Sequence, residues 1–209
     1  MKIAVIGAGN VGTAVARAGV NSGNDVVLTA TTPERAQTVA ASIGARAAAD
    51  NADAVRQADL VVLAVPYSAV ADVADEIADA ASGKIIIDAT NALKPDLSGL
   101  AVTDRSAAEL LQERLPSARV VKAFNTVFAS RQAAPVVDGS PLDGFYAGND
   151  TEAKQTVAEF LTAIGYRPID AGGLPSARAL EQMAYLNILL NAGNGWPWQS
   201  GWKLVGPTD

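Results

Sequence analysis

The sequence predicts an α/β protein with a Rossmann-type, doubly wound parallel sheet and a smaller C-terminal lobe. Short aliphatic runs alternate with alanine-rich stretches of helical spacing, which indicates strands and helices in turn. The aliphatic runs are continuous rather than alternating with polar residues, as expected for strands buried on both faces of a parallel sheet. Only 5% of the residues are aromatic, which disfavours an aromatic-rich all-β core.

Strands and helices are predicted to alternate through the first part of the chain. The strands are predicted at Lys2–Ile6, Asp25–Ala30, Leu60–Val65, Lys84–Asp88 and Val120–Phe124. The helices are predicted at Gly12–Ser22, Pro33–Ile43, Tyr67–Ala81 and Ser106–Leu115. Pro33 suits the first turn of its helix, where no backbone N–H is needed. Ser106 and Glu109 have the spacing of a capping box, and we interpret them as structural.

The second part of the chain has more prolines and glycines between its elements. Short strands are predicted within Ala134–Val137, Gly144–Ala147 and Arg167–Asp170, and helices at Thr151–Ile164 and Pro175–Ala192. We therefore expect residues 1–122 to form the Rossmann domain and residues 123–209 to form the smaller lobe. The last helix is apolar almost all round from Met183 onwards, which is typical of a buried helix and favours a homodimer interface.

Composition excludes several kinds of chemistry. The 209 residues include no histidine and no cysteine, so common zinc sites, Ser–His and Cys–His pairs and disulfides are excluded, and no metal site is expected. The net charge of −6 and the scattered basic residues argue against a nucleic-acid partner. No apolar run approaches the roughly 20 residues of a membrane helix, and the N-terminus does not resemble a signal peptide, so we expect a cytoplasmic protein without a membrane partner.

The strongest local signal is a G-x-G-x-x-G motif formed by Gly7, Gly9 and Gly12, directly after the first predicted strand. Between a strand and a helix, the first glycine permits a tight turn and the second allows a pyrophosphate to approach the backbone. The third glycine lets the helix pack closely against the strand. Because N–H groups at a helix N-terminus bind anions, the motif predicts a dinucleotide-binding site.

The residues after the second predicted strand favour NADP(H) over NAD(H). NAD sites usually place Asp or Glu there, to accept hydrogen bonds from the ribose 2′-hydroxyl. This chain instead has Ala30, Thr31 and Thr32, with Arg35 just beyond. Hydroxyl groups and a guanidinium can bind a 2′-phosphate. Thr31 and Thr32 have an alternative role, because either can cap the helix that Pro33 begins.

Further candidates lie at the carboxyl ends of three predicted strands. Val65 and Pro66 end one strand, Asn91 follows the next, and Asn125 and Thr126 follow the last. Ligands of open α/β sheets bind beyond these ends, so we expect ribose and nicotinamide along this edge. Each residue also has a structural alternative, since proline can start a helix and the polar residues can stabilise turns.

No residue is an obvious catalytic acid or base. None of the four tyrosines is followed four residues later by a lysine. Lys94 and Lys122 are the lysines nearest the predicted site, but neither has the helical context of a β-hydroxyacid dehydrogenase. Hydride exchange between a nicotinamide and a flavin-like ring requires mainly that the protein orient two rings. We therefore predict no catalytic residue, with Asn125 and Thr126 as orienting candidates.

Four segments of the chain resemble the NADPH-dependent reductases of the deazaflavin coenzyme F420. They are the glycine motif with Asn10, residues 104–109, residues 121–126 and the run from 170 to 181, and together they follow that family over its whole length. The resemblance implies that the chain is an oxidoreductase that transfers hydride between NADP(H) and coenzyme F420.

The resemblance also implies which residues contact each part of the cofactors. It assigns the pyrophosphate to Gly9, Asn10 and Val11. It assigns the 2′-phosphate to Ala30, Thr31 and Arg35. It assigns the face where nicotinamide meets the deazaflavin to Asn125, Thr126 and Val127. Archaeal members of the family carry a Ser–Arg pair in place of Ala30–Thr31 and a histidine in place of Asn125.

Two alternatives remain open at this point. A resemblance to the reductase domains of membrane ferric reductases allows FMN, riboflavin or another flavin as the acceptor. A protein that binds NADP(H) without turnover, as a sensor of the cofactor ratio, is also compatible with the motif. Trp196, Trp198 and Trp202 lie together near the C-terminus, where they can stack on an acceptor ring or anchor the tail.

Overall fold

The computed structural model describes residues 1–206 of the chain. The strands are β1 (Lys2–Ile6), β2 (Asp25–Thr29), β3 (Arg46–Ala47), β4 (Leu60–Leu63), β5 (Ile85–Asp88), β6 (Arg119–Ala123), β7 (Val136–Val137), β8 (Ser140–Pro141), β9 (Asp143–Gly148) and β10 (Arg167–Asp170). The helices are α1 (Asn10–Asn21), α2 (Pro33–Ile43), α3 (Asn51–Gln57), α4 (Val70–Ile77), α5 (Ala107–Arg114), α6 (Ala129–Gln132), α7 (Thr151–Ala163) and α8 (Ala177–Asn194).

Eight strands form one sheet in the order β10-β9-β6-β5-β4-β1-β2-β3, and β7 pairs with β8 in a separate ribbon. Neighbouring strands of the large sheet are parallel except β6 and β9, which are antiparallel. The chain runs outward from β1 to β3 in one direction and from β4 to β6 in the other. The carboxyl ends of β1 and β4 therefore flank the point where the strand order reverses, which is where such sheets bind ligands.

Helices cover both faces of the sheet, because each strand carries apolar side chains on both sides. On one face α1, α2 and α7 form a core that includes Val15 and Phe160. On the other face α3, α4 and α5 form a core that includes Ile77 and Leu111. The prediction of a doubly wound Rossmann-type sheet is confirmed. The strands after residue 123 extend the same sheet, and the division into two domains at residue 122 stays a prediction.

Most predicted elements are present, with differences in detail. The predicted helix Tyr67–Ala81 is a 3-10 turn at Tyr67–Ala69 followed by α4. Pro66 precedes the turn with a non-helical backbone, at φ of −55° and ψ of 143°. The capping box at Ser106 is formed, with Glu109 bonded back to the Ser106 backbone. The sequence did not indicate β3, α3 or α6.

The last helix differs from its prediction in which residues it buries. Asn187 and Asn191 of α8 are buried, whereas Leu186, Leu189 and Leu190 are exposed in the single chain. The single chain therefore does not bury the helix all round, and burial of the leucines against a second copy stays a prediction. The Asn187 and Asn191 amides face the tail at Ser200. Across residues 1–206, no helix has the length and apolarity needed to cross a membrane.

Candidate functional site

The glycine loop between β1 and α1 has the geometry that the motif predicts. Gly7 has φ of 108°, and a Cβ there would lie 2.4 Å from the carbonyl oxygen of Ala64. A Cβ on Gly12 would lie 1.9 Å from the carbonyl oxygen of Gly7. These two glycines are therefore required by the packing of the turn itself.

Gly9 is different, because nothing in the described chain requires it to be a glycine. Its backbone is extended, with φ of −80° and ψ of −171°, and no atom of residues 1–206 lies within 4 Å of where its Cβ would be. As the N-cap of α1, Gly9 leaves its side-chain space open in front of the free N–H groups of a twelve-residue helix. The loop therefore fits a phosphate group that lies against its backbone.

A cavity of about 580 Å³ opens at this loop, at the carboxyl ends of β1, β2 and β4. Seven residues of the predicted site line it: Gly7, Gly9, Ala30, Thr31, Arg35, Val65 and Pro66. Asn10, Val11 and Gly12 lie beside it on the first turn of α1. The structure therefore brings together the residues predicted for the pyrophosphate and the 2′-phosphate.

Arg35 gives the cavity its charge. Its guanidinium Nη2 donates a hydrogen bond to the carbonyl oxygen of Ala8 at 3.0 Å, so it lies against the glycine loop. Among the described residues that line the cavity, Arg35 is the only charged one. Thr32, not Thr31, caps α2, because its side chain accepts a hydrogen bond from the Arg35 backbone N–H. Thr31 is therefore free of the alternative capping role.

Asn51 also lines the cavity and was missed by the sequence analysis. Its Oδ1 accepts a hydrogen bond from the Thr29 hydroxyl at 2.6 Å, and its Nδ2 donates to Glu76 at 2.8 Å. Both bonds fix the Asn51 side chain beside Thr29 at the wall of the cavity. Asn51 begins α3, a helix with no strong apolar pattern, so the sequence carried no signal that would have brought it to the site.

The remaining predicted residues form a second group at the carboxyl ends of β5 and β6. Asn91 and Asn125 bond to each other in both directions: Asn91 Nδ2 donates to the Asn125 carbonyl, and Asn125 Nδ2 donates to Asn91 Oδ1, each at 3.0 Å. Asn125 Nδ2 also donates to the Leu180 carbonyl at 3.0 Å. Thr126 and Val127 are buried beside them. This group does not line the 580 Å³ cavity.

A charged cluster lies beneath this second group, and Lys122 is at its centre. The Lys122 ammonium is fully buried and donates to Asp88 at 2.9 Å, to Glu181 at 2.9 Å and to the Thr90 carbonyl at 2.7 Å. Burial lowers the pKa of Lys122, but the two carboxylates outweigh that effect and raise the pKa above its ordinary value. With all three N–H groups engaged, Lys122 has no proton to offer a ligand.

Glu181 ends the run from 170 to 181 that carries the family resemblance, but the sequence analysis assigned it no role in this cluster. It reaches the cluster from α8, and its carboxylate also accepts hydrogen bonds from the backbone N–H of Ala107 at 3.0 and 3.2 Å, at the N-terminus of α5. Lys94, the other lysine near the predicted site, is exposed in the loop after β5. Within residues 1–206, no group of three or more acidic side chains is arranged to hold a metal ion.

A larger cavity of about 690 Å³ lies between α4 and α5. None of the predicted site residues lines it, and a surface ion pair joins its two sides, with Asp75 and Arg114 3.0 Å apart. Its lining comes from α4, α5 and the 3-10 turn that precedes α4. The geometry therefore favours the smaller cavity at the glycine loop as the functional site.

Comparisons with known proteins identify the family of the chain. The family model "NADP oxidoreductase coenzyme F420-dependent" matches residues 2–92. The F420-dependent NADP reductase of Methanothermobacter marburgensis is 32% identical over 211 residues, covering 93% of this chain and 94% of that protein. The chain belongs to this family.

Three further proteins are similar to this chain in sequence or in fold. A crystal structure of a candidate F420-dependent NADP reductase from Arthrobacter sp. FB24 superimposes with a TM-score of 0.89 at 30% identity, covering 99% of this chain and all of that one. Metalloreductase STEAP3 of Rattus norvegicus is 32% identical over 187 residues, but the chain spans only 36% of that protein's length. An imine reductase from Bacillus cereus, at 19% identity and a TM-score of 0.68, shares the fold. The chain is therefore a member of an NAD(P)-dependent oxidoreductase family and has a Rossmann-type sheet.

Proposed function

We propose that the chain transfers hydride between NADP(H) and the deazaflavin coenzyme F420, without a protein nucleophile or a catalytic acid or base. The observation that carries this proposal is the open space at Gly9 beside the Arg35 guanidinium, in a chain that matches F420-dependent NADP reductases over nearly its whole length. When bound, the nicotinamide ring supplies the hydride donor or acceptor.

The residues of the glycine-loop cavity bind the phosphates of NADP(H) in this proposal. Backbone N–H groups of Gly9, Asn10 and Val11 hold the pyrophosphate with help from the dipole of α1. Arg35 and the Thr31 hydroxyl bind the 2′-phosphate, with Ala30 leaving room for it. No carboxylate among the described residues lines this cavity, whereas Asp50 and Glu76 line the smaller cavity that adjoins it at Thr31. The preference for NADP(H) therefore rests on Arg35 and Thr31.

The second group of residues orients the rings. Val65 and Pro66 lie beside the ribose, and Asn91, Asn125, Thr126 and Val127 flank the face where nicotinamide meets the acceptor. In this proposal the protein contributes orientation, because both rings carry their own electronics and the nearest lysine, Lys122, is engaged by three acceptors.

Anaerobic turnover of the purified protein tests the proposal. NADPH and NADH are each tested against coenzyme F420, FMN and riboflavin in parallel, with product followed by absorbance. We expect rapid NADPH-dependent reduction of F420 with slow flavin reduction. Reduction of flavins at rates equal to or above that of F420 would contradict the assignment of the acceptor.

A flavin acceptor is the second candidate, and the similarity to metalloreductase STEAP3 over 86% of this chain favours it. Flavin reduction that does not need F420 would select this candidate. Tight NADPH binding without turnover on any acceptor would instead support the sensor hypothesis. These outcomes separate the three functions in one experiment.

Substitution of Arg35 tests the 2′-phosphate contact. Arg35→Ala is expected to weaken NADPH binding by on the order of 1.5–3 kcal/mol, because one charge-assisted hydrogen bond is lost. NADH binding should change little, since NADH has no phosphate at that position. Titration of the protein with each cofactor gives both values, and equal losses for NADPH and NADH would contradict the role.

Substitution of Gly9 tests the pyrophosphate contact. Gly9→Val places a side chain in the open space in front of α1, so it should abolish binding of both cofactors and leave the fold intact. Circular dichroism checks the fold and cofactor titration checks binding. Retained NADPH affinity in folded Gly9→Val protein would remove the glycine loop from the site.

We also propose that the protein forms a homodimer through α8. Leu186, Leu189 and Leu190 are each 37–46% exposed and lie together on that helix. Burial of such a face against a second copy removes apolar surface from water. Light scattering coupled to gel filtration measures the mass, and a monomer at micromolar concentration would contradict the dimer.

A further inference from the structure

In the turn that follows β6, one bulky residue, Phe124, has an unfavourable backbone conformation. Phe124 has φ of 67°, in the left-handed region that a bulky side chain rarely adopts, and it is only 3% exposed. Asn125, Thr126 and Val127 follow it directly. A conformation of this kind persists only when surrounding contacts hold it, and such conformations cluster at functional sites. The contacts around this turn are therefore candidates for a functional role.

One buried amide holds the turn from inside. Gln132 of α6 is 0% exposed, and its Nε2 donates to the carbonyl oxygens of Phe124 at 2.7 Å and of Val127 at 2.8 Å. These two bonds join the first and last residues of the turn. Because carbonyl oxygens only accept, they fix the amide so that its Oε1 points away from the turn.

Tyr166, which directly precedes β10, completes this arrangement. Its hydroxyl donates to Gln132 Oε1 at 2.6 Å, so every polar atom of the Gln132 side chain is bonded. Burial raises the pKa of Tyr166, so the hydroxyl keeps its proton and remains a donor. The Phe124 ring packs edge-on against Tyr166 and Phe160, with ring centres 6.1 and 5.8 Å apart.

The opposite side of the turn is held by the asparagine pair. Asn91 donates to the Asn125 carbonyl, and the Asn125 side chain donates to Asn91 and to the Leu180 carbonyl. The turn is therefore fixed from the core by Gln132 and from the strand-end side by Asn91. Loss of the Gln132 amide would leave the carbonyl oxygens of Phe124 and Val127 without their donor. Phe124 could then relax toward a negative φ, which would move Asn125.

We propose that Gln132 is a positioning residue, which holds residues 124–127 in the conformation that places Asn125, Thr126 and Val127 against the reacting rings. This inference rests on the function proposed above. Gln132 touches neither ring, and it acts only through the two carbonyl groups of the turn. Tyr166 supports it by fixing the orientation of the amide.

The chain offers a control with the same hydrogen-bond pattern, although with a half-buried side chain, at the other end of β6. Gln112 of α5 also donates from Nε2 to two carbonyl oxygens, those of Leu115 and Ala118, both at 3.0 Å. Its Oε1 accepts a hydrogen bond from the Val120 backbone at 3.1 Å. Methionine at either position removes the same three bonds with little change in volume. Only Gln132 lies at the carboxyl end of the strand.

The test compares Gln132→Met with Gln112→Met in the full chain. Both variants should lose thermal stability. Only Gln132→Met should lose kcat with F420, by about tenfold or more, since displacement of reacting groups by about 1 Å costs up to about a hundredfold. NADPH affinity, measured by titration, should change less than about twofold, because the phosphate contacts lie at the glycine loop. An equal effect of both variants on kcat would reduce Gln132 to a structural role.

Two further measurements keep the inference testable. Tyr166→Phe removes one hydroxyl and should give a smaller fall in kcat, and it serves if Gln132→Met does not fold. Fluorescence of bound NADPH reports the nicotinamide environment without turnover, and it should change in Gln132→Met but not in Gln112→Met. If the wild-type protein binds NADPH but reduces no acceptor, the proposed function fails while this spectral difference still decides the inference. Unchanged emission in Gln132→Met would overturn it.

Discussion

Removal of the buried Lys122 ammonium is the most demanding test of the structure. Lys122→Met keeps the length of the side chain and removes three hydrogen bonds, leaving the Asp88 and Glu181 carboxylates buried without their cation. Both carboxylates are about 1% exposed, so water cannot replace the lost partner. Breaking a buried ion pair in this way costs about 3–5 kcal/mol, which in a chain of this size lowers Tm by roughly 6–20 °C.

Urea denaturation and thermal unfolding, both followed by circular dichroism, measure this loss. Arg46→Met is the matched control, because Arg46 and Asp25 are 3.1 Å apart but about half exposed, and such pairs contribute less than about 1 kcal/mol. Replacement of Lys122, Asp88 and Glu181 together by apolar residues should recover part of the loss, because no charge then stays buried. Stability of Lys122→Met within about 1 kcal/mol of the wild type would refute the reasoning.

Two further predictions concern the glycine loop and the loss of folding stability at acid pH. Gly12→Ala should lower Tm strongly, in contrast to substitutions at Gly9, because its Cβ would lie 1.9 Å from the Gly7 carbonyl oxygen and force the loop away from α1. The bidentate hydrogen bonds from Arg178 lower the pKa of Glu109 to about 2, so this pair stabilises the fold above the ordinary carboxyl pKa and the contribution is lost as the pH falls from about 5 toward 2. Arg178→Gln should reduce this loss of stability at acid pH, because the Arg178 guanidinium is the largest cause of the lowered pKa of Glu109, and an unchanged pH dependence would contradict the contribution.

The sheet was predictable because its strands carry the signal locally. β1, β4 and β5 are buried aliphatic runs, and their burial on both faces follows from that composition. β3 was not predictable, because it consists of two exposed residues, Arg46 and Ala47, that pair with β2 only once the sheet exists. α3 is seven residues long and begins at an Asp50 cap, which is too short for a clear helical period.

The candidate site divides in the same way. Gly7, Gly9 and Gly12 were predictable because each acts within a turn of six residues. Glu181 and Gln132 were not, because their partners lie far along the chain: Glu181 meets Ala107 across 74 residues, and Gln132 meets Tyr166 across 34. A polar residue in a helical run carries no mark of such a partner, so only the packed structure can assign it.

The second group contains buried polar atoms that have no hydrogen-bond partner in the described part of the chain. Four buried side-chain atoms lack a hydrogen-bond partner within residues 1–206, and two of them, Thr90 Oγ1 and Asn125 Oδ1, belong to the strand ends of β5 and β6. Both N–H groups of Asn125 already donate hydrogen bonds within the protein, so the side-chain oxygen, an acceptor, is the polar atom of Asn125 that remains unbonded in the described chain. In the proposed function these residues orient two rings for hydride transfer, because both rings carry their own electronics.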